Sequence, residues 1–322
     1  MKKRFHSLIA SELEAFLRHK RALGFIYERP EGTLRNFDRY LRPLGPAKIK
    51  RRGWAQLIEN WLSERPQRKP KSVGSDLQIV RQFCLFRRRY DPTAFVPELD
   101  WGPVPAKRSA RFVPHVFSRS EIVRMLKETG RFTRSDQYNR CVRMLLLVLY
   151  CTGLRFGEAA RLRISDLDLK QKWLRVNQSK GRSRLVPFRT ELAKEFKRYL
   201  RRRPAELLRP ETPVFLNRYK QAHSTKTISN GLRKLMRKAG VKKEGDRGGP
   251  RPYDLRHTFA VHRLTRWYRQ RVDLDQRLPW LSTYMGHLNI LGTEIYLTTT
   301  VELLNLVAHR FEKRFRQKRW LK

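Results

Sequence analysis

Pro252-Tyr253-Asp254-Leu255-Arg256-His257-Thr258-Phe259-Ala260 opens a helical pattern that continues through His262 and Trp267, directly after a Gly-rich loop over Glu244 to Pro250. An arginine and a histidine therefore stand side by side at the start of a helix, on a rigid support. Working outward, Gly286-His287 follows, and Tyr296 comes nine residues after His287. Upstream, the run Val142, Met144 to Tyr150 is apolar nearly all round and reads as a central core helix. Gly153 ends it and Arg155 follows at once, with a fixed backbone and an accessible head. Two arginines, two histidines and a tyrosine form a set able to hold a phosphodiester and attack it.

Taken singly, each member is ordinary: a surface arginine, a structural histidine, a core tyrosine. The composition narrows the choice. The chain has 322 residues, 73 Lys+Arg against 29 Asp+Glu, and a formal net charge of +44. That surplus calls for a polyanionic partner, and nucleic acid is the first candidate ahead of a ribosomal or membrane surface. Cys84, Cys141 and Cys151 are far apart without a Cys-x-x-Cys pair, and read as reduced, buried small hydrophobes. Acidic residues in Ser11-Glu12-Leu13-Glu14 interrupt the basic start before a signal segment can form, and no window is apolar enough for a membrane span. A soluble, cytoplasmic protein is expected.

The pattern divides the chain into 1–90, 91–117 and 118–322. The first part carries four helical periodicities, at Phe16 and Leu17 behind a Ser11-x-x-Glu14 capping box, at Leu34, Phe37 and Leu41, at Trp54 to Leu62, and at Leu77 to Cys84. Its basic residues Lys48, Lys50, Arg51, Arg52, Arg68, Lys69 and Lys71 fall at helix starts and loops, where phosphates can be met. Five prolines between Pro92 and Pro114, with Lys107, Arg108 and Arg111, predict a basic, semi-extended linker. The third part opens with a second capping box, Ser118-x-x-Glu121, and a helix ending near Gly130. After Asp166 and Asp168 the period becomes two, and Trp173 to Asn177 with Leu185 to Phe188 predict a β-hairpin with Lys180 at its tip. Helices are expected at 191–202, at 227–238 with Ser224 as cap, at 281–286, 293–297 and 302–318. The class is mainly α with one small β-hairpin.

Thr152-Gly153-Leu154-Arg155-Phe156-Gly157-Glu158, Ser179-Lys180-Gly181-Arg182-Ser183-Arg184-Leu185-Val186-Pro187, Leu255-Arg256-His257-Thr258, Gly286-His287 and Tyr296 resemble, in order and approximate spacing, the signature of the tyrosine recombinases, the phage-integrase family. The resemblance covers about two thirds of the chain, from Ser118 onward. It implies the DNA breaking–rejoining fold, preceded by a helical core-binding (SAM-like) domain. It implies a site-specific recombinase that cleaves and rejoins DNA through a 3′-phosphotyrosyl intermediate, serving integration, excision or transposition of a mobile element. Tyr296 would be the nucleophile, Arg155 and Arg256 the phosphate clamp, Lys180 the general acid for the departing 5′ oxygen, and His257 and His287 donors or proton carriers. No cofactor or metal is implied. The implied partners are duplex DNA carrying a recombination site, further copies of the chain in a tetrameric synapse, and accessory DNA-bending or partner recombinase proteins; on DNA the protein would be nucleoid-associated.

The family has a histidine three residues before the second arginine, and here that position is Tyr253. A phenol can hydrogen-bond but is a poor proton acceptor at neutral pH, so the proton path is altered. Two alternatives share the pattern, a type IB topoisomerase-like nicking and closing enzyme and a non-catalytic DNA-binding accessory protein. A metal-dependent nuclease needs clustered carboxylates, whereas Glu158, Asp166 and Asp168 sit in one segment as turn, cap or support for Arg155. No phosphate-binding Gly-rich loop points to ATP hydrolysis.

Overall fold

The computed structural model describes residues 5–64, 70–98, 113–179, 182–246, 248–287 and 293. The chain forms two compact units, Met1–Phe112 and Val113–Lys322.

The first unit holds four helices, α1 (Ala10–Ala22), α2 (Glu28–Leu41), α3 (Pro46–Ser63) and α4 (Pro70–Arg87). Each periodic set becomes one buried face: Leu13, Phe16 and Leu17; Leu34, Phe37 and Leu41; Leu57, Ile58 and Trp61; Leu77, Val80, Phe83 and Cys84 share one core. Trp61 is buried at a cost its indole recovers by donating to Asn36 Oδ1 at 3.1 Å. Pro46 occupies the first turn of α3, and Gly53 interrupts that helix with φ 70°. Lys48, Arg51 and Arg52 are exposed on its first turns.

The expected Ser11 capping box is not formed. Helix α1 already begins at Ala10 without a side-chain cap, so Ser11 lies inside it. The amides just ahead of the helix are met instead from α2, where the Asp38 carboxylate accepts from His6 N at 3.0 Å and Ser7 N at 2.9 Å. A buried carboxylate from another helix thus anchors the segment that leads into α1.

The two ends of the proline-rich segment are packed down. Phe95 and Val96 lie against the first core, and Arg81 Nε donates to Pro97 O at 2.8 Å. Within the second unit Phe117 is buried, and its amide donates to Thr258 Oγ1 at 3.0 Å.

The second unit is built round α6 (Asp136–Thr152), whose Val142, Met144, Leu145, Leu146, Val148 and Leu149 are buried. Around it stand α5 (Arg119–Glu128), α7 (Phe156–Ala160), α8 (Thr190–Leu200), α9 (Thr225–Lys238), α10 (Asp254–Arg269) and α11 (Leu274–Met285). Both sides of the Ser118–Glu121 box are present, and Ser224 accepts from Thr227 N to cap α9. A 3-10 turn over Thr129–Arg131 carries the chain past Gly130. The hairpin is there as β2 (Trp173–Ser179) and β3 (Arg182–Pro187), with the short β1 (Leu167–Asp168) added on its edge in the order β1-β2-β3, all antiparallel. Leu174, Val176 and Val186 point inward and are buried, leaving Arg175 and Leu185 outside.

Helix α11 starts seven residues earlier than its pattern predicts, because Asp273 caps it by accepting from Asp275 N. Cys84 and Cys141 are buried, and burial pushes each thiol up to about 12. Cys151 is a correction: it is exposed, on the outward face of a last turn of α6 whose Leu149 and Thr152 are buried. Of the helices expected at 293–297 and 302–318, all but Thr293 lies outside the described residues. Among the described residues no helix is long and apolar enough to cross a membrane.

Candidate active site

The site begins where α6 ends. Gly153 caps the helix with φ 63°, and a Cβ there would stand 2.4 Å from the Phe259 ring, so only glycine admits both the turn and the packing of α10. The turn delivers Arg155 to the start of α7. Glu158, one turn on, holds it twice: its carboxylate accepts from Arg155 N at 2.9 Å and from the guanidinium at 2.8 Å. The carboxylate is buried, with 2% of the side chain exposed, and it accepts from a second guanidinium, that of Arg184 on β3, at 2.8 and 3.2 Å.

Arg256, on the first turn of α10, is 2% exposed. So buried a charge needs partners, and it donates to Gly153 O at 2.8 Å, Met285 O at 2.7 Å and His287 Nε2 at 2.9 Å. The last carbonyls of a helix have no partner within it and form the negative end of its dipole. At the end of α11 three consecutive carbonyls are met by three arginines from three other elements: Tyr284 O by Arg184 Nε at 2.9 Å, Met285 O by Arg256 and Gly286 O by Arg155 at 2.7 Å. Gly286, with φ 68°, then turns the chain, and His287 N closes the turn on Ser282 O at 3.0 Å.

That turn fixes His287. Arginine can only donate, so His287 Nε2 is the acceptor toward Arg256, the ring proton sits on Nδ1, and Nδ1 donates to Thr293 Oγ1 at 2.7 Å. His257 lies one residue beyond Arg256, and burial lowers its imidazole to about 4, Arg251 and Arg256 adding to the shift against the opposing pull of Asp254. It is neutral at physiological pH. The Tyr253 ring stands edge-on to it at 5.3 Å, and Tyr253 is 44% exposed at the N-cap of α10.

Of the residues expected in the site, Arg155, Arg256 and His287 are brought together, with His257 and Tyr253 on the adjoining turn of α10. Lys180 and Tyr296 lie outside the described residues. Among the described residues no group of His, Cys, Asp and Glu could hold a metal ion. Arranged this way, two guanidiniums, one of them held by an oriented imidazole, concentrate donors at one place, as stabilisation of charge growing on phosphate oxygens requires.

The sequence model of the phage integrase family matches residues 115–302. The y4rB protein of Sinorhizobium fredii, named as an integrase/recombinase, is 30% identical over 322 residues, covering 96% of this chain and 98% of its own length. The chain belongs to the phage integrase family. Tyrosine recombinase XerD of Shewanella oneidensis is 26% identical over 82% of either chain. In fold, this tyrosine recombinase is similar to the Tn1549 transposon integrase solved with a circular intermediate DNA, at TM-score 0.65 and 16% identity over 93% of this chain and 99% of that one.

Sequence reasoning assigned Glu158 a supporting part but missed Arg184. Its neighbours in sequence, Ser183 and Leu185, give no hint of burial, yet the side chain is 11% exposed and uses Nε and both terminal nitrogens. The available signal was the alternation of the hairpin: Val186 is an inward residue, and Arg184 lies two positions before it on the same face of β3.

Proposed function

We propose that this tyrosine recombinase is a site-specific DNA recombinase acting through Tyr296 as nucleophile, with Arg155 and Arg256 clamping the scissile phosphate. The observation that carries the reading is the convergence of Arg155, Arg256 and His287 on the single turn that ends α11. Guanidiniums at that turn meet the non-bridging oxygens, whose charge grows as the phenol oxygen attacks. His287, with Nε2 turned to Arg256, aligns that guanidinium, and the neutral His257 serves as a hydrogen-bonding group rather than a general acid at pH 7. Lys180 would protonate the 5′ oxygen as it leaves.

In this scheme one P–O bond forms to Tyr296 as its phenol proton passes to water, and one breaks to the 5′ oxygen, which takes a proton from Lys180 and departs as a hydroxyl. The phosphodiester energy is kept in the 3′-phosphotyrosyl bond, and a 5′-hydroxyl from the partner duplex reverses the step without metal or nucleotide. Exchange between two duplexes requires four protomers in a synapse, and accessory DNA-bending or partner recombinase proteins fit the same scheme. Its setting is a mobile element that integrates, excises or transposes. The relatives named as recombinases, and the transposon integrase solved with a circular intermediate DNA, support the substrate class.

The test is a suicide substrate carrying the recombination site, with the covalent adduct scored after SDS in the presence of EDTA. Wild type should form the adduct, and Tyr296→Phe should bind DNA but form none. An adduct from Tyr296→Phe at the wild-type level would remove Tyr296 from the role, and a strict need for a divalent ion would move the chemistry to the metal nucleases.

A further inference from the structure

We infer that Arg184 is a positioning residue for strand cleavage. It acts without touching the phosphate, by fixing Glu158 and the end of α11 and through them Arg155. The inference rests on the recombinase reading above and extends it to a side chain to which the resemblance assigned no role.

The geometry is closed on all sides. Arg184 gives Nε to Tyr284 O and both terminal nitrogens to the Glu158 carboxylate. Glu158 in turn holds the amide and the guanidinium of Arg155, whose other terminal nitrogen reaches Gly286 O, two residues beyond Tyr284. A ring of hydrogen bonds therefore runs from Arg184 to Glu158, to Arg155, to the α11 turn and back to Arg184.

Removing Arg184 opens that ring at two points. It leaves a carbonyl at the end of α11 without its donor, and it takes two donors from a buried carboxylate that also holds Arg155 and can then draw Arg155 toward itself and away from the substrate. The fit at Gly286 is independent evidence that Arg184 is wedged: a Cβ there would stand 2.7 Å from one of its terminal nitrogens and 2.9 Å from Cζ. Lysine cannot replace it, because one ammonium lacks the planar fork that spans a carboxylate and a carbonyl together.

The test uses the full chain on the suicide substrate in single turnover, with DNA affinity measured in parallel. Arg184→Ala should slow adduct formation by about a hundredfold, the size expected when a reacting group is misplaced by about 1 Å, while binding is kept. Arg184→Lys should not rescue it. In the Arg155→Ala background, Arg184→Ala should add little, because its effect runs through Arg155; a merely structural contribution would multiply the two losses. Should Arg184→Ala prove unfoldable, Arg184→Lys and the Arg155→Ala pairing carry the comparison. A wild-type rate in both Arg184 variants, or fully multiplicative losses, would overturn the inference and leave the recombinase reading intact; absence of any adduct from the wild-type chain would sink that reading first.

Discussion

At the residue, the two clamp arginines are built differently and should fail differently. Arg155 keeps 17% of its side chain exposed and is held at its edge by Glu158, so Arg155→Ala should cost on the order of 3 kcal/mol of transition-state stabilisation, with a smaller loss of fold because one carbonyl, Gly286 O, loses its donor and Glu158 keeps Arg184. Arg256 is buried and supplies Gly153 O and Met285 O, so Arg256→Ala should also lower folding stability, by about 1–3 kcal/mol for each carbonyl left without a donor. Urea unfolding beside single-turnover cleavage separates the two, and equal stability of both variants would contradict the structural part given to Arg256. His257 adds a pH dependence. Its folded pKa of about 4 lies below the ordinary 6.5, so below pH 6.5 the unfolded chain takes up a proton that the folded chain refuses. Its contribution is therefore intact above about pH 6.5 and lost on acidification toward pH 4. His257→Gln should flatten the fall in melting temperature across that window, and an unchanged slope would mean that His257 is accessible to protons. Tyr253 stands half in solvent beside this imidazole, so the residue that departs from the family pattern occupies an open position and not a packed one.

At the element, the turn that ends α11 carries the site, and Gly286 is its narrowest point. Gly286→Ala would strain a left-handed backbone by about 1–2 kcal/mol and push against Arg184, which Glu158 and Tyr284 O hold in place. Gly240 offers the control, since its φ is +64° but nothing lies within 4 Å of a Cβ there. Both alanine variants should lose the backbone term, and only Gly286→Ala should also slow cleavage; equal cleavage in the two would show that Arg184 can yield. The elements were legible wherever their causes are local. The Ser118 box, the Ser224 cap, the apolar run of α6 and the alternation of the hairpin each lie within a few residues and appear as read. What stayed hidden depends on partners distant in sequence. Asp38 anchors the lead-in to α1 at Ser7 from 31 residues away, and Arg184 meets Glu158 across 26 and Tyr284 across 100. No periodicity encodes such pairs. The signature residues could be recognised because their order is fixed, whereas the shared carboxylate and the three capped carbonyls exist only once α7, β3, α10 and α11 have packed.

For the whole molecule, the charge surplus and the catalytic arginines are separable. A chain with 73 Lys+Arg and 29 Asp+Glu cannot pair most of its cations internally, and those left on the surface await an external polyanion. Arg256, by contrast, is committed to carbonyls in the interior, and Arg184 to Glu158 and α11. Neutralising phosphates releases counterions, so the logarithm of the affinity for duplex DNA should fall linearly with the logarithm of salt concentration, by about 0.9 per phosphate met. Lys48, Arg51 and Arg52, exposed at the start of α3, are positioned to contribute to that slope. Replacing all three with alanine should make the slope shallower by about 0.9 for each phosphate no longer neutralised, yet leave single-turnover cleavage unchanged once enough protein is present to saturate the DNA. Arg155→Ala should give the opposite result, a near-normal slope and a collapsed rate. Affinity measured between about 50 mM and 200 mM salt for the three proteins decides the matter. A flat dependence in the wild type would mean that the surplus charge serves another partner, and a triple variant that binds normally but cannot cleave would place α3 in the chemistry instead of on the backbone of the duplex.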